Sequence, residues 1–543
     1  MAEVPIRSIF IEAEEKNYDL TGTKPAKIII NPQALMANMV ASAIRFDLSV
    51  DNRSGVVLPY QIGQTFEDPS NNEMVVYKGL GVERVVQNVR AYFTKGPTIQ
   101  DHLDVNLFEG NLNSYLQPRN ESRLLGDLGQ AQSNTLCQNP YGQVTFDAAE
   151  LITPAPCNAK SAFLSAQTAQ YGSTVTSASQ NIVASHYLPL HKIAYWAKNQ
   201  TQFPLGLMGE LVLEIHFYNG NRMLTLAPNC NRIEVTRTSA TKFTLTQDFS
   251  DRNSLRFDSS FTQMPIVHHY NNGTSTESLT VTEIEHDSAT GEIILTVDGT
   301  ITAGSGDRWI RLDRSILDSV KLLANDVGVH LATWGTDVEF NRSFMSRIRQ
   351  QGMTIPYLER KLVTETITQA NVINKQFDIL RNCVAIFILF RKQFINSDSN
   401  LHPNNRENIL CGRDGMSEYT ISIDGNNMIN VPSIRVGRAN QTDRCIHNYM
   451  MKRTLRAIGQ KLKRYDSPLL NYNQTLMNVL DQYDAYNMFM IPVLPPTVNR
   501  TQKLNVRIKR ETGNFTINDI SVAFMTVGQL KMTPQLTTII EPQ

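Results

Sequence analysis

The sequence contains one pair of adjacent histidines, His268 and His269, whose rings suit metal binding or proton transfer near neutral pH. Neighbouring residues of a strand point to opposite faces of the sheet, so one site could not easily use both rings. Two structural histidines are the favoured interpretation, and a metal site is the alternative.

Other signatures of enzymatic chemistry are incomplete or absent in the sequence. Residues 79–84 begin like a dinucleotide-binding fingerprint, but Arg84 occupies the place of the third glycine and no βαβ pattern surrounds it. The patterns GxxxxGK(S/T), HExxH and GxSxG do not occur. We therefore assign no catalytic residue, no cofactor-binding residue and no metal ligand. We expect no enzymatic activity, no cofactor and no small-molecule substrate.

The six cysteines are scattered, without a CxxC motif or a paired framework. They are Cys137, Cys157, Cys230, Cys383, Cys411 and Cys445. This distribution favours reduced thiols in a reducing compartment over a set of disulfides.

The predicted helix at residues 448–464 is basic. Its apolar stripe is Met451, Leu455, Ile458 and Leu462, and its basic residues are Lys452, Arg453, Arg456, Lys461, Lys463 and Arg464. One interpretation is a contact with phosphate groups of a genome or of lipid headgroups. The favoured one is a solvated face that pairs with acids of a neighbouring subunit, because Gly459 weakens the helix and the whole chain is neutral.

Length and charge limit the classes of protein to consider. A chain of 543 residues exceeds what one hydrophobic core usually holds, which predicts two large domains. Its 51 basic and 51 acidic residues cancel, so charge favours neither nucleic acid nor an anionic membrane as the main partner, and self-association is permitted. The sequence shows no secretory signal and no apolar run of about 18 residues that would span a bilayer.

The elements that would position these residues are mostly strands. Residues 211–217 alternate around Glu214 and His216 and follow a Pro/Gly turn. Further on, the apolar run 383–390 precedes an Asn/Pro loop, a strand that ends at Asp424-Gly425, and the basic helix. An alternating strand at 504–509 and a further strand at 519–527 complete this second series.

This order of elements resembles the double jelly-roll major capsid proteins of tectiviruses, Polinton-like viruses and virophages. Residues 185–217 are similar to the end of the first barrel, and residues 337–527 to the second barrel. The resemblance implies an all-β fold with two eight-stranded jelly-roll barrels, short helices and long loop insertions. The expected organisation is an N-terminal arm (1–30), a first jelly roll (31–345) with an insertion at about 225–325, a second jelly roll (346–536) and a C-terminal tail (537–543).

The function implied by the resemblance is that of a major capsid protein. Its homotrimers would be pseudo-hexameric and would tile the shell of an icosahedral double-stranded DNA virus. The implied partners are neighbouring capsomers, penton proteins and minor capsid proteins, and the implied location is the virion after synthesis in the host cytoplasm. The arm and the basic helix are candidates for contact with an internal membrane or the genome. The alternatives are a minor capsid protein and a carbohydrate-binding or carbohydrate-hydrolysing β-sandwich.

Five further expectations concern local segments. Asn31-Pro32 predicts a helix start, followed by an apolar face from Leu35 to Ile44. Residues 338–344 are predicted as a strand, and residues 343–353 as a helical linker. Residues 279–297 predict a hairpin. The insertion at 225–325, together with residues 100–180, is expected to project outward, because long insertions survive where they meet solvent.

Overall fold

The computed structural model of the chain is built mainly from β-strands, with few and short helices. It describes residues 7–20, 24–31, 36–52, 58–61, 75–77, 85–94, 96, 98–106, 108–109, 112, 145–146, 152–153, 173–175, 180–219, 224–226, 233–245, 262–287, 292–313, 315, 320–335, 338–367, 372–392, 416–427, 433–435, 444–459, 488–493, 502–510, 517–534 and 538–541.

The first part of the chain contributes fourteen described strands and three short helical segments. The strands are β1 (Arg7–Glu12), β2 (Asn17–Asp19), β3 (Ala26–Ile30), β4 (Met36–Asn52), β5 (Leu58–Gln61), β6 (Val75–Tyr77), β7 (Val86–Phe93), β8 (Thr98–His102), β9 (Thr145–Phe146), β10 (Ile152–Thr153), β11 (Ser173–Val175), β12 (Gln180–Pro189), β13 (Leu211–Phe217) and β14 (Leu224–Leu226). The helical segments are α1 (Leu190–Ile193), the 3-10 helix Tyr195–Ala197 and α2 (Leu205–Met208).

The remaining strands and the two longer helices follow. The strands are β15 (Ile233–Arg237), β16 (Lys242–Leu245), β17 (Pro265–Tyr270), β18 (Ser275–His286), β19 (Ile293–Val297), β20 (Trp309–Leu312), β21 (Val320–Trp334), β22 (Met353–Thr366), β23 (Val372–Ile379), β24 (Cys383–Lys392), β25 (Met416–Ile423), β26 (Asn426–Asn427), β27 (Ile434–Arg435), β28 (Met488–Pro492), β29 (Gln502–Arg510), β30 (Ile517–Met532) and β31 (Thr538–Glu541). Helix α3 spans Val338–Gln351 and α4 spans Arg444–Ala457. Among the described residues, no helix is both long enough and apolar enough to cross a bilayer.

Eight strands form the first jelly roll. In chain order they are β1, β3, β4, β7, β8, β12, β13 and β21. One sheet has the order β1-β21-β4-β12, which is the first, eighth, third and sixth of these strands. The facing sheet has the order β3-β13-β7-β8, the second, seventh, fourth and fifth. Two sheets whose eight main strands are connected in this way are the jelly-roll arrangement, and β2 adds a fifth strand to the first sheet by pairing with β21.

The second half of the chain repeats this strand order. The sheet β22-β30-β24-β28 again joins the first, eighth, third and sixth strands, and β23-β29-β25-β26 joins the second, seventh, fourth and fifth. The predicted fold class of two jelly-roll barrels with short helices and long insertions is therefore confirmed. Helix α3 joins the barrels and ends at Gly352, which has a φ of +69°. A Cβ on Gly352 would lie 2.7 Å from the Met532 carbonyl oxygen, so glycine is required at this close approach.

Alternating residues fill the two sandwich cores. In β3, Ala26, Ile28 and Ile30 are buried while the residues between them are half-buried. In β24, by contrast, Ile386 and Ile388 enter the core of the second sandwich while Phe387 is buried on the opposite face. A strand buried on both faces is why residues 383–390 form a continuous apolar run, as the sequence predicts.

An additional domain lies between the seventh and eighth strands of the first jelly roll. Strands β15 to β20 form a closed antiparallel barrel of order β15-β16-β19-β18-β17-β20. The predicted hairpin is confirmed as β18 and β19, with Ile284 opposite Leu295. We call this domain the inserted barrel.

Three long connections between strands of the first jelly roll meet at one end of this jelly roll. Strands β5 and β6 follow its third strand, β11 follows its fifth, and β14 follows its seventh. They combine into one sheet of order β11-β5-β6-β14, in which β5 and β6 are parallel. The inserted barrel follows β14 in the chain. The sheet β11-β5-β6-β14 and the inserted barrel therefore lie at the same end of the jelly roll.

The predicted N-terminal arm over residues 1–30 is wrong for three of its segments, and one of them, β2, pairs with β21 through residues 17–19. Strand β1 pairs along its whole length with β21, with Phe10 opposite His330. Strand β3 pairs with β13, with Ile28 opposite Leu213. A complementary sheet edge is available to these short segments only in the folded chain. Pairing there satisfies their backbone hydrogen bonds and buries alternate residues of β3, whereas the residues of β1 stay exposed or half-buried. The predicted tail over 537–543 is likewise corrected, because β31 pairs with β30.

Two helix and strand assignments are reversed in the structure. The predicted helix that starts at Asn31-Pro32 and runs to Ile44 is wrong, because the described residues from Met36 onward form β4, paired with both β12 and β21. The predicted strand at 338–344 is wrong, because those residues begin α3. A short apolar pattern fits both the helical period of about 3.6 residues and the strand period of two residues. In each case the contacts with neighbouring elements decided which structure formed.

Candidate functional site

The outer face of one sheet of the second jelly roll is the surface on which the first jelly roll packs. Phe387 of β24 and Met525 of β30 are buried there, in one apolar cluster with Phe108, Leu112 and Tyr195 of the first jelly roll. The Phe108 and Phe387 rings meet edge to face, with centroids 5.2 Å apart. We call this contact between the two barrels the junction.

Phe108 and Leu112 lie in the long connection between the fifth and sixth strands of the first jelly roll. Described residues of this segment are helical: Val105, Asn106, Phe108, Glu109 and Leu112. Val105 is buried in the core of its own jelly roll, whereas Phe108 and Leu112 face the other one. The segment therefore connects the two cores.

A buried ion pair lies at the centre of the junction. Arg360 of β22 and Glu109 each have fully buried side chains, and the Arg360 Nε donates to Glu109 Oε1 over 3.1 Å. A second guanidinium nitrogen, Nη2, donates to the Leu103 carbonyl oxygen over 2.6 Å. The guanidinium also lies over the Phe108 ring, 4.6 Å from its centroid. One side chain of the second jelly roll thus contacts three residues of the first. These simultaneous contacts fix the orientation of the guanidinium group.

His102, at the end of β8, adds two hydrogen bonds to the junction. Its Nε2 accepts from the backbone N–H of Arg360 over 3.3 Å, and its Nδ1 lies 3.2 Å from the Ile193 carbonyl oxygen. Because an amide nitrogen only donates and a carbonyl oxygen only accepts, the ring is neutral with its proton on Nδ1. Burial holds the pKa of His102 well below its ordinary value, and the Arg360 charge lowers it further.

The loop after α1 closes the junction on one side. The Tyr195 ring packs edge-on against His102, and burial raises the pKa of its phenol well above the ordinary value. Lys198 Nζ lies 5.3 Å from the Tyr195 ring centroid, and burial lowers its pKa to about 8. Gln200 Nε2 donates to the Pro356 carbonyl oxygen over 3.0 Å. The junction is therefore a packed, hydrogen-bonded interface and holds the two barrels in a fixed relative position.

The histidine pair lies in the inserted barrel, far in sequence from the junction. His268 Nδ1 lies 2.7 Å from Glu277 Oε1, while His269, on the opposite face of β17, stacks on Trp309. The Glu277 carboxylate also accepts hydrogen bonds from the backbone and hydroxyl of Thr302. These contacts hold the loop that contains Thr302 against strands β17 and β18. Within the described ranges, no group of three or more His, Cys, Asp and Glu residues is arranged to hold a metal ion.

The basic helix is shorter than predicted and begins earlier, spanning Arg444–Ala457. Leu455 and Ile458 of the predicted stripe are buried against the outer sheet face of the second jelly roll. Lys452, Arg453 and Arg456 are exposed. Leu462 and the basic residues 461, 463 and 464 lie outside the described residues, as do the cysteines other than Cys383 and Cys445 and the segment 79–84.

Sequence reasoning missed the polar residues of the junction. Glu109 and Arg360 are 251 positions apart, and neither belongs to a motif. The one available signal is Tyr195-Trp196, an aromatic pair between the chain-breaking residues Pro189 and Pro204. The structure buries both rings.

Several solved structures are similar to this chain over almost its whole length. A chain of the Sputnik virophage structure has a TM-score of 0.49 and 9% sequence identity, covering 99% of this chain and 88% of that one. The Faustovirus major capsid protein has a TM-score of 0.44 and 9% identity, with 100% and 91% coverage. The mavirus major capsid protein has a TM-score of 0.43 and 10% identity, with 98% and 90% coverage. No protein-family model matches the chain, and no curated protein matches its sequence.

Proposed function

We propose that this chain is a major capsid protein whose pseudo-hexameric homotrimers tile the shell of an icosahedral double-stranded DNA virus. The observation that carries the proposal is the tandem of two jelly rolls with the same strand order, held together by the junction. The jelly roll is a common architecture of viral capsid domains. The step from architecture to role is an analogy, and the oligomeric state supplies the independent test.

The geometry of the chain suits assembly around a threefold axis. Each copy contributes two similar lobes, so three copies around the axis present six lobes in a near-hexagon, a shape that tiles a surface. Cyclic closure requires contacts between the first jelly roll of one copy and the second of the next. The formal net charge of zero removes long-range repulsion between copies.

The inserted barrel suits a projection on the outside of such a shell. Its six strands pair with one another, and no described strand of either jelly roll pairs with them. Together with the sheet β11-β5-β6-β14 it occupies one end of the first jelly roll, where added chain does not interrupt either sandwich. In the proposed role the chain is structural rather than catalytic, is located in the virion after synthesis in the host cytoplasm, and contacts neighbouring capsomers, penton proteins and minor capsid proteins.

The oligomeric state of the purified protein tests this function. Mass photometry at physiological salt should show a species of three times the 61.2 kDa chain mass. An obligate interface of this kind buries about 2,000 Å2 or more, so the species should persist on dilution to nanomolar concentration. A monomer that remains stable at micromolar concentration would contradict the proposal, and negative-stain images of the trimer should show a hexagonal outline.

A further inference from the structure

The outer face of the corresponding sheet in the first jelly roll carries an aromatic and cationic cluster. Phe10 of β1, Arg45 of β4, Tyr187 of β12 and His330 of β21 lie side by side across the four strands. The His330 ring is 4.8 Å from Phe10 and 5.3 Å from Tyr187, and the Arg45 guanidinium lies 5.7 Å above the Phe10 ring. We call these four residues the outer cluster.

The outer cluster is accessible, whereas its counterpart in the second jelly roll is covered. Tyr187 is 36% exposed, and Phe10, Arg45 and His330 are half-buried. At the same place on the second jelly roll, Phe387 is completely buried under the first. Large aromatic groups at a partly accessible sheet face are typical of a surface that another protein covers.

The internal repeat identifies what covers the equivalent face. On the second jelly roll, the cover supplied by the other barrel includes the helical segment around Phe108, which follows the fifth strand of the first jelly roll, and it lies beside Leu455 of α4 and Ile458 directly after α4. The corresponding connection of the second jelly roll, between its fifth strand β26 and its sixth strand β28, contains the short strand β27 and then α4. Met450 of α4 is buried in the core of its own jelly roll, as Val105 is in the first. Tyr449 beside it is 59% exposed, and Arg453 lies 5.7 Å above its ring.

We infer that the outer cluster is the docking site for α4 of a second copy of this chain, with Tyr449 and Arg453 as its contact residues. The inference rests on the proposed function, because it specifies which surfaces close the trimer. The rotation that superposes the first jelly roll on the second would also place the junction on this contact between copies. The same type of contact would then recur around the threefold axis, alternately within a copy and between copies.

The chemistry of the two surfaces is compatible. The outer cluster combines aromatic rings with a guanidinium group, and the α4 surface combines one aromatic ring with a guanidinium group. This combination is enriched at protein interfaces and favours stacking when water is excluded. Arg45 does not repel Arg453 strongly, because Asp47 lies 3.5 Å from its Nη2 and neutralises it. The inference assigns the exposed basic residues of α4 to a protein neighbour rather than to phosphate groups.

Directional cross-linking tests the contact. A tagged Tyr187→Cys chain is co-expressed with an untagged Tyr449→Cys chain and treated with a short bismaleimide. Because the contact is heterologous, the mixture should give covalent dimers with one copy of each, at least tenfold above the wild type, while either variant alone should not. The double variant in a single chain should give a covalent trimer on a denaturing gel.

The control pairs Tyr449→Cys with Val372→Cys, which is similarly exposed at 37% but lies on the other sheet of the second jelly roll. Trimers of normal mass that cross-link no more than this control would overturn the inference and leave the proposed function intact. A wild-type protein that stays monomeric would instead overturn the proposed function, and this contact with it.

Discussion

At the scale of single residues, the Arg360–Glu109 pair is an interaction whose loss should strongly lower the stability of the fold. Both side chains are completely buried, and removing one partner leaves a buried charge without compensation. Such a change costs about 3–5 kcal/mol in other proteins, whereas an exposed pair contributes about 1 kcal/mol or less. The junction therefore depends on both residues being present together.

We expect Arg360→Met to lower the free energy of unfolding by about 3–5 kcal/mol, measured by the urea midpoint and the slope of the transition. The double variant Arg360→Met, Glu109→Leu should recover most of the loss, because neither charge is then buried. Lys361→Met is the matched control, since Lys361 is exposed and pairs with Glu359 at 3.8 Å. If Arg360→Met and Lys361→Met lower the free energy of unfolding equally, the buried pair contributes no more to stability than the exposed pair.

His102 makes stability depend on pH. Its pKa is depressed in the folded protein, so between that value and the ordinary pKa of about 6.5 the unfolded chain binds a proton that the folded chain does not. Stability should therefore fall as the pH drops below about 6.5, by up to about 1.4 kcal/mol per pH unit from this residue.

The measurement is the urea midpoint at pH 7.5 and at pH 5.5 for the wild type and for His102→Gln. Buried histidines elsewhere, such as His269 with a pKa of about 4, contribute in the same direction to both proteins. Only the difference between the two proteins reports on His102, and the variant should lose less stability on acidification. The same loss in both proteins would mean that His102 accepts a proton in the folded state.

At the scale of elements, the inserted barrel is an independent addition to a complete jelly roll. The strands that open and close it are adjacent, with Ile233 opposite Ile310 in the β15–β20 ladder. Its entry and exit points are therefore close, and a short linker can join them at little cost in loop entropy. The apolar core of the inserted barrel does continue into that of the first jelly roll, so its removal exposes some apolar surface.

Replacing residues 229–316 with a short Gly/Ser linker should leave a folded protein that still forms trimers, with a lower urea midpoint. Mass photometry and circular dichroism measure the two outcomes. Replacing β23 to β25 in the same way should abolish folding, because those strands belong to a jelly-roll sheet. A monomeric product of the first deletion would mean that the inserted barrel takes part in the contact between copies.

At the scale of the whole molecule, the repeat of one strand order explains both the covered face and the accessible one. A single chain can satisfy only one of the two equivalent contacts between its barrels, because the second requires another copy. The junction is the contact within the chain, and in the proposed trimer the outer cluster would form the other contact with a second copy. In the proposed trimer, three copies around one axis would form every such contact.

The sequence by itself determined the elements whose side-chain period is unambiguous. The run at 383–390, the hairpin of β18 and β19, and the alternating strand at 504–509 were all predicted, because burial on one or both faces fixes their pattern. The repeated strand series and the resemblance it carries were sufficient for the fold class. Such signals are local, and each can be read within about ten residues.

Only the tertiary structure decided which partners these elements have. Strands β1 and β3 became part of the sheets because an edge was available, and β4 became a strand because β12 and β21 flank it. The junction combines Glu109 with Arg360 across 251 positions, and no local pattern encodes such a contact. A buried charge pair depends on the geometry of two packed barrels, since its residues are ordinary exposed types until folding removes water from both.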